Sequence, residues 1–247
     1  MRTRPRRLLP SGRSLALGLV LLAAGGGAYA AARETSLFAV RQIDVRGGTP
    51  AVRMQVRREL APLLGSSLVG LDGSALTRRV AALPTVVSAV YDRTFPHTLR
   101  VTVVAETPVA VLHRGTDTWL VSTRGRVIEP IPARTSLLLP RVWVPTATAV
   151  SVGAFLPPAG GGAAARALAL VGRFPARIAT ASLSHGELTF RLRSGVEVRF
   201  GAPTDVRLKL AIARRALLLL PPGTTYLDVS VPGRPVAGGN PQVSGSG

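Results

Sequence analysis

The sequence predicts an α+β fold behind an N-terminal apolar helix. Three observations carry this prediction. Residues 14–32, SLALGLVLLAAGGGAYAAA, hold no charge. Residues 40–106 change periodicity in the order strand, helix, helix, strand, strand. Beyond Pro108, short strand-like runs broken by glycine and polar turns dominate, with two helical stretches among them.

Arg2, Arg4, Arg6, Arg7 and Arg13 precede the apolar run, and Arg33-Glu34 end it. About twenty apolar residues cross a bilayer core, and flanking arginine favours the cytoplasmic side. The prediction is a cytoplasmic basic tail (1–13), a transmembrane helix (14–32) and an external remainder. A cleavable signal peptide is the competing reading: Leu15–Ala24 has the length of its apolar region, and Ala28-Tyr29-Ala30 suits a cleavage site. Either way the rest of the chain is exported, which disfavours DNA binding and ATP-dependent chemistry.

Composition narrows the function further. The chain has 247 residues, 47% of them hydrophobic, a formal net charge of +19 and no cysteine. Disulfides, thiolate metal sites and cysteine nucleophiles are excluded. The basic residues are arginine apart from Lys209, and they are scattered; aromatics are only 4%. A nucleic-acid surface would cluster its arginines among exposed aromatics, so the charge is read as coding bias and nucleic acid is not an expected partner.

Along the external part, Val40–Arg46 alternates as a strand and Gly47-Gly48 turns it. Val52, Val56 and Leu60 recur at helical spacing over residues 50–64. Asp72 is placed to cap a second helix striped by Leu76, Val80 and Leu83, with Pro84 beyond its end. Val86–Arg93 and Thr98–Glu106 read as two strands joined at the Phe95-Pro96 corner. Two helices on one face of this small sheet would bury both stripes. Then VAVLHR, TWLVST and GRVIEP read as strands, PPAGGGAAA (157–165) as a flexible interruption and Ala164–Phe174 as a helix. Residues 178–201 give two or three strands turning at His185-Gly186 and Ser194-Gly195. Thr204 and Asp205 open a helix to Leu220. TYLDVSV is a final strand, and Pro232–Gly247 reads as a disordered tail.

No catalytic pattern emerges. His97, His113 and His185 have no second histidine at metal-binding spacing. There is no nucleophile elbow and no phosphate loop, and the 12 acidic residues show no paired-carboxylate spacing. Glu106 reads as solvated or arginine-paired. A secreted enzyme would require a pocket gathering two of Glu106, His113 and Asp117. Tyr226–Val231 is more suggestive: a terminal strand is often an edge that accepts another chain's strand, unless it is simply paired within its own sheet.

FAVRQIDVRG, SLVGLDGSALTRRVAALPTVVSAVYDRTFPHTLRVTVVAETPVAVL, WLVSTRGRVIE and TYLDVSVPGRPV, in this order after one apolar segment, resemble the bacterial cell-division family FtsQ/DivIB. The first part also resembles POTRA domains in general, which serve export and assembly factors too. The resemblance implies a retained N-terminal anchor, a POTRA domain (37–107), a second, mostly antiparallel β-rich domain (108–232) and a disordered tail (233–247). It implies no enzymatic activity and no cofactor. It implies a divisome scaffold that binds FtsB and FtsL and, through them, helps recruit and regulate the septal peptidoglycan synthases FtsW and FtsI. The family's FtsB-docking strand maps onto Tyr226, Leu227, Asp228, Val229, Ser230 and Val231. Ser230 stands where a basic residue is common, and Val231 where some members have an aromatic.

Overall fold

The computed structural model describes residues 12–34, 36–133, 135 and 137–239. Residues 1–11 of the basic tail and 240–247 of the C-terminal tail lie outside the described residues. Helix α1 runs Gly12–Glu34. Its side chains are described only for residues 16–27 and 29, and the leucines and valine among them are exposed. Among the described residues, no helix is long and apolar enough to cross a membrane.

The chain divides into two compact units, Met1–Val80 with Ser88–Val104, and Ala81–Val87 with Ala105–Gly247. In the first, the predicted order holds: β1 (Gln42–Arg46), α2 (Pro50–Leu60), α3 (Gly73–Ala81), β2 (Val86–Thr94) and β3 (Thr98–Ala105). β3 is the central strand, flanked by β1, which runs parallel to it, and by β2. The helices form where local chemistry starts them. Thr49 Oγ1 accepts from Val52 N–H and caps α2. Asp72 Oδ1 accepts from the backbone N–H groups of Ser74 and Ala75 at 2.9 and 3.1 Å, satisfying donors that a helix start leaves open. Val52, Val56 and Leu60 from α2 are buried, as are Leu76 and Val80 from α3 and Leu99, Val101 and Val103 from β3. The Phe95-Pro96 bond is cis, and Phe95 meets Phe38 edge-on at 5.5 Å.

The second unit is built on a nine-stranded sheet in the order β12-β11-β10-β9-β8-β7-β4-β5-β6. Its strands are β4 (Pro108–Arg114), β5 (Asp117–Ser122), β6 (Val127–Pro130), β7 (Arg141–Trp143), β8 (Ile178–Ser184), β9 (Glu187–Leu192), β10 (Glu197–Gly201), β11 (Tyr226–Asp228) and β12 (Val236–Gly238). Neighbours are mostly antiparallel, as expected; β4/β7, β7/β8 and β10/β11 are parallel. Helices α4 (Ala163–Ala169) and α5 (Val206–Leu217) contribute Ala164, Leu168, Leu210 and Ala213 to a core shared with Leu112, Phe190, Phe200 and Leu227. Lys209 is buried in α5, and its ammonium donates to the carbonyls of Phe200 and Ala202, both at 2.9 Å.

Four expectations change here. The Gly160–Gly162 run is not a flexible interruption: all three glycines are buried in a tight turn leading into α4. A Cβ on Gly162 would collide with the Leu156 carbonyl oxygen, and Gly161, at φ 93°, lies where a Cβ would press on Val144 and Val142; glycine is required there by close approach. Helix α4 ends at Ala169 instead of Phe174. Helix α5 opens directly after Asp205, as expected, with Asp205 at φ 52° and no side-chain cap bond, but it ends at Leu217 instead of Leu220. The stretch expected to be disordered beyond Pro232 contains β12.

Gly162→Ala is expected to destabilise the second unit by about 1–3 kcal/mol, the usual consequence of overpacking, read as a lower urea midpoint. In the first unit, hydrogen bonding from Arg100 and then Arg46 holds the Asp44 carboxyl below its ordinary value, and the Ala75 and Ser74 bonds do the same for Asp72. Folded values below the unfolded ones mean that this stabilisation is complete above about pH 4 and disappears as pH falls further. Asp44→Asn with Asp72→Asn should therefore flatten the acid limb of that unit's pH–stability curve, followed by thermal melting.

Candidate partner-docking edge

Of Glu106, His113 and Asp117, two of which an enzyme would need in one pocket, His113 and Asp117 lie at the same end of the β4–β5 hairpin but make separate contacts. Asp117 pairs with Arg114 at 3.3 Å at the turn between β4 and β5. Glu106 lies beyond the other end of β4. His113 stacks on the exposed Trp143 with ring centroids 4.4 Å apart. Burial first, and then the charge of Arg141, push its imidazole down from its ordinary value, which favours the neutral ring. Among the described residues no three His, Asp or Glu side chains could jointly hold a metal.

Of the two states expected for Glu106, solvated or arginine-paired, the fold takes the second. Its side chain is 1% exposed, with Arg124 at 3.4 Å and Arg126 at 3.9 Å. Oε2 has no hydrogen-bond partner. Arg126 is in turn fixed by donating to the Gly153 carbonyl at 2.8 Å. This is a buried charge held by cations from the β5–β6 turn, a structural ion pair whose disruption leaves an uncompensated charge.

The expected docking residues gather at one end of the sheet. β11 lies parallel to β10, with Glu197, Val198 and Arg199 opposite Tyr226, Leu227 and Asp228. Glu197 N–H donates to the Thr225 carbonyl, and Val229 N–H to the Arg199 carbonyl at 2.8 Å. In a parallel ladder alternate residues bond to the same neighbour, so Leu227 and Val229 serve β10, as does the Thr225 carbonyl, while the Thr225 N–H donates to the Gly238 carbonyl at 2.9 Å. Tyr226 and Asp228 turn their backbone to the opposite side. Leu227 and Val229 are buried, at 1% and 0% exposure, and anchor the strand in the core. The Tyr226 ring lies 5.0 Å from the Arg199 guanidinium, which also pairs with Glu197 at 2.9 Å.

The strand is shorter than TYLDVSV suggested. After Asp228 its own carboxylate accepts from Ser230 N–H at 2.8 Å and bends the chain. Ser230 and the exposed Val231 therefore lie in a turn, outside the strand. The outer side of β11 is not open either. β12 pairs with it antiparallel, with Gly238, Ala237 and Val236 opposite Tyr226, Leu227 and Asp228. Sequence reading had set an accepting edge against pairing within the chain's own sheet; β11 has a neighbour on both sides.

Residues 38–104 match the family model described as "POTRA domain, FtsQ-type". The chain is 30% identical to the cell division protein FtsQ of Mycolicibacterium smegmatis over 81% of its length and 57% of the relative's. It is 32% identical to that of Mycobacteroides abscessus, over 81% of this chain and 62% of the relative. The chain belongs to the FtsQ/DivIB family. A third family member, FtsQ of Streptomyces venezuelae, is 27% identical over 96% of the chain and 89% of its own length. The matched region covers less than two thirds of the two mycobacterial proteins.

Glu106→Ala should destabilise the second unit by about 3 kcal/mol. Its denaturant midpoint should fall, while Asp117→Ala, at an exposed pair, should change it by less than about 1 kcal/mol.

Proposed function

We propose that the chain is a non-enzymatic divisome scaffold, held by one membrane span over residues 14–32 with its two units external, that binds FtsB and FtsL and through them helps recruit and regulate FtsW and FtsI at the septum. The observation that carries this reading is the construction of β11. Leu227 and Val229 lock one register of the strand into the core, and Tyr226 and Asp228 direct their main-chain groups toward β12, the outermost strand at this end of the sheet. That arrangement suits strand addition, in which backbone hydrogen bonds supply affinity and alternate side chains supply selectivity. Family membership supports the division role. The uncharged run within α1 and the arginines before it support the anchor and its orientation.

Val229 contributes to the β10 ladder and to the core, so its side chain and its N–H serve the fold more than a partner. The informative position is Asp228. Asp228→Pro removes a main-chain donor on the outward side and should reduce capture of purified FtsB external segment at least tenfold in a titration. Asp228→Ala keeps that donor and should retain most of the binding. Equal capture by the proline variant and the unmodified chain would overturn the docking edge.

A further inference from the structure

The arginines are scattered along the sequence, but the first unit gathers four of them on one surface. Helices α2 and α3 turn Val52, Val56, Leu60, Leu76 and Val80 into the core, so their opposite sides face outward. There the last turn of α2 carries Arg57 and Arg58, and the last turn of α3 carries Arg78 and Arg79, all exposed. The one carboxylate on α2, Glu59, pairs with Arg79, and α3 has none. Arg58 donates to Met54 Sδ and Arg78 to Ser74 Oγ, each on its own helix. Both acceptors are neutral and leave the guanidinium charge uncompensated.

This surface adjoins the chain that leaves α1. Residues 38–40 are stitched to the loop after α2: Leu68 N–H donates to the Phe38 carbonyl and Val40 N–H to the Ser66 carbonyl, both at 2.8 Å. Tyr29 of α1 shares a cleft of about 780 Å³ with Leu63, Leu71, Ala75 and Arg79. Tyrosine is a residue type enriched at membrane–water interfaces. Two leucines next to these junctions stand open, Leu37 at 68% and Leu64 at 50% exposure. With a span over residues 14–32, Leu37 is five positions past its end, no more than about 17 Å away even if the chain is extended. A headgroup layer of about 6 Å per side and a screening length of about 8–10 Å cover nearly all of that distance.

We infer that the arginine face of α2 and α3 docks on anionic phospholipid headgroups beside the anchor, with Leu37 and Leu64 at the headgroup boundary. This rests on the membrane span proposed above. Charge and position together select a bilayer as the occupant. The tether holds the face at high effective concentration over one surface. The guanidinium fork matches phosphate oxygens, and attraction to an anionic leaflet acts within a screening length of it. Exposed leucines beside a basic face suit the boundary between headgroups and acyl chains. Docking turns the helix layer of the first unit toward the membrane. The other side of its sheet, where Val104 is exposed, then faces away, because alternate residues of β3 point to opposite faces.

The test uses the full chain in bilayers of phosphatidylcholine, with or without phosphatidylglycerol, part of the lipid being brominated as a quencher. The chain has no cysteine, so Leu64→Cys and, as reference, Val104→Cys each carry a single fluorescent label. In anionic bilayers the label at 64 should be quenched about fivefold more than the label at 104. That ratio should fall to near one in phosphatidylcholine alone, at high salt, and when Arg57→Gln, Arg58→Gln and Arg78→Gln are combined. The salt series needs no arginine substitution, so it reports even if the triple variant fails to fold. Equal quenching at 64 and 104 in a chain that resists alkaline extraction overturns the docked face and leaves the span standing. Quenching at 64 that ignores lipid charge and salt overturns the role of the arginines. Shielding of 64 only when purified FtsB and FtsL external segments are added gives the face to a protein and overturns lipid docking. Release of the chain by alkaline extraction overturns the span, and the docking with it.

Discussion

An open β-sheet must end somewhere, and its last strand carries main-chain donors and acceptors with no neighbour. The second unit answers this constraint twice. At one end, β6 closes a meander of tight antiparallel turns. At the other, the parallel strand β11 is anchored from within by Leu227 and Val229 and covered from without by β12. The core specifies β11 to one register, because a one-residue slip would expose both anchors. No comparable side-chain anchor specifies β12.

The interior of the unit supports this arrangement from behind. β10 is the shared neighbour through which β11 connects to the rest of the sheet. Its Phe200 packs against Phe190 at 4.8 Å, and its C-terminal carbonyls accept from α5 through Lys209. Gly201, at φ 60°, approaches Ser230 so closely that a Cβ would stand 2.8 Å from it. Helix, strand and turn thus converge just where β11 stops and the chain bends away.

Much of this was legible because it is local. The cap at Asp72, the stripes of α2 and α3 and the glycine turns at Gly186 and Gly195 depend on residues a few positions apart. What escaped depends on partners far along the chain. Glu106 reads as either solvated or arginine-paired, and only Arg124 and Arg126 folding over it decide for the buried pair. Gly160–Gly162 looks like a linker because glycine signals flexibility and close packing with the same letter; only Leu156, Val142 and Val144 distinguish them. β7 and β12 are three residues each, too short to show periodicity. TYLDVSV reads as one continuous strand because nothing in its pattern reveals that Asp228 will bend the backbone at Ser230.

Lys209 has a consequence of a different kind. It is the one side-chain amine in the sequence, and its buried ammonium donates both its described hydrogen bonds to carbonyls at and just beyond the end of β10. Acylating reagents require the free, uncharged amine at the surface. In the folded chain they meet a side chain that is neither free nor accessible, so modification at residue 209 becomes a chemical record of how often α5 lifts from the sheet. A chain so rich in arginine carries, by leaving lysine out everywhere else, a single internal reporter of its own local opening.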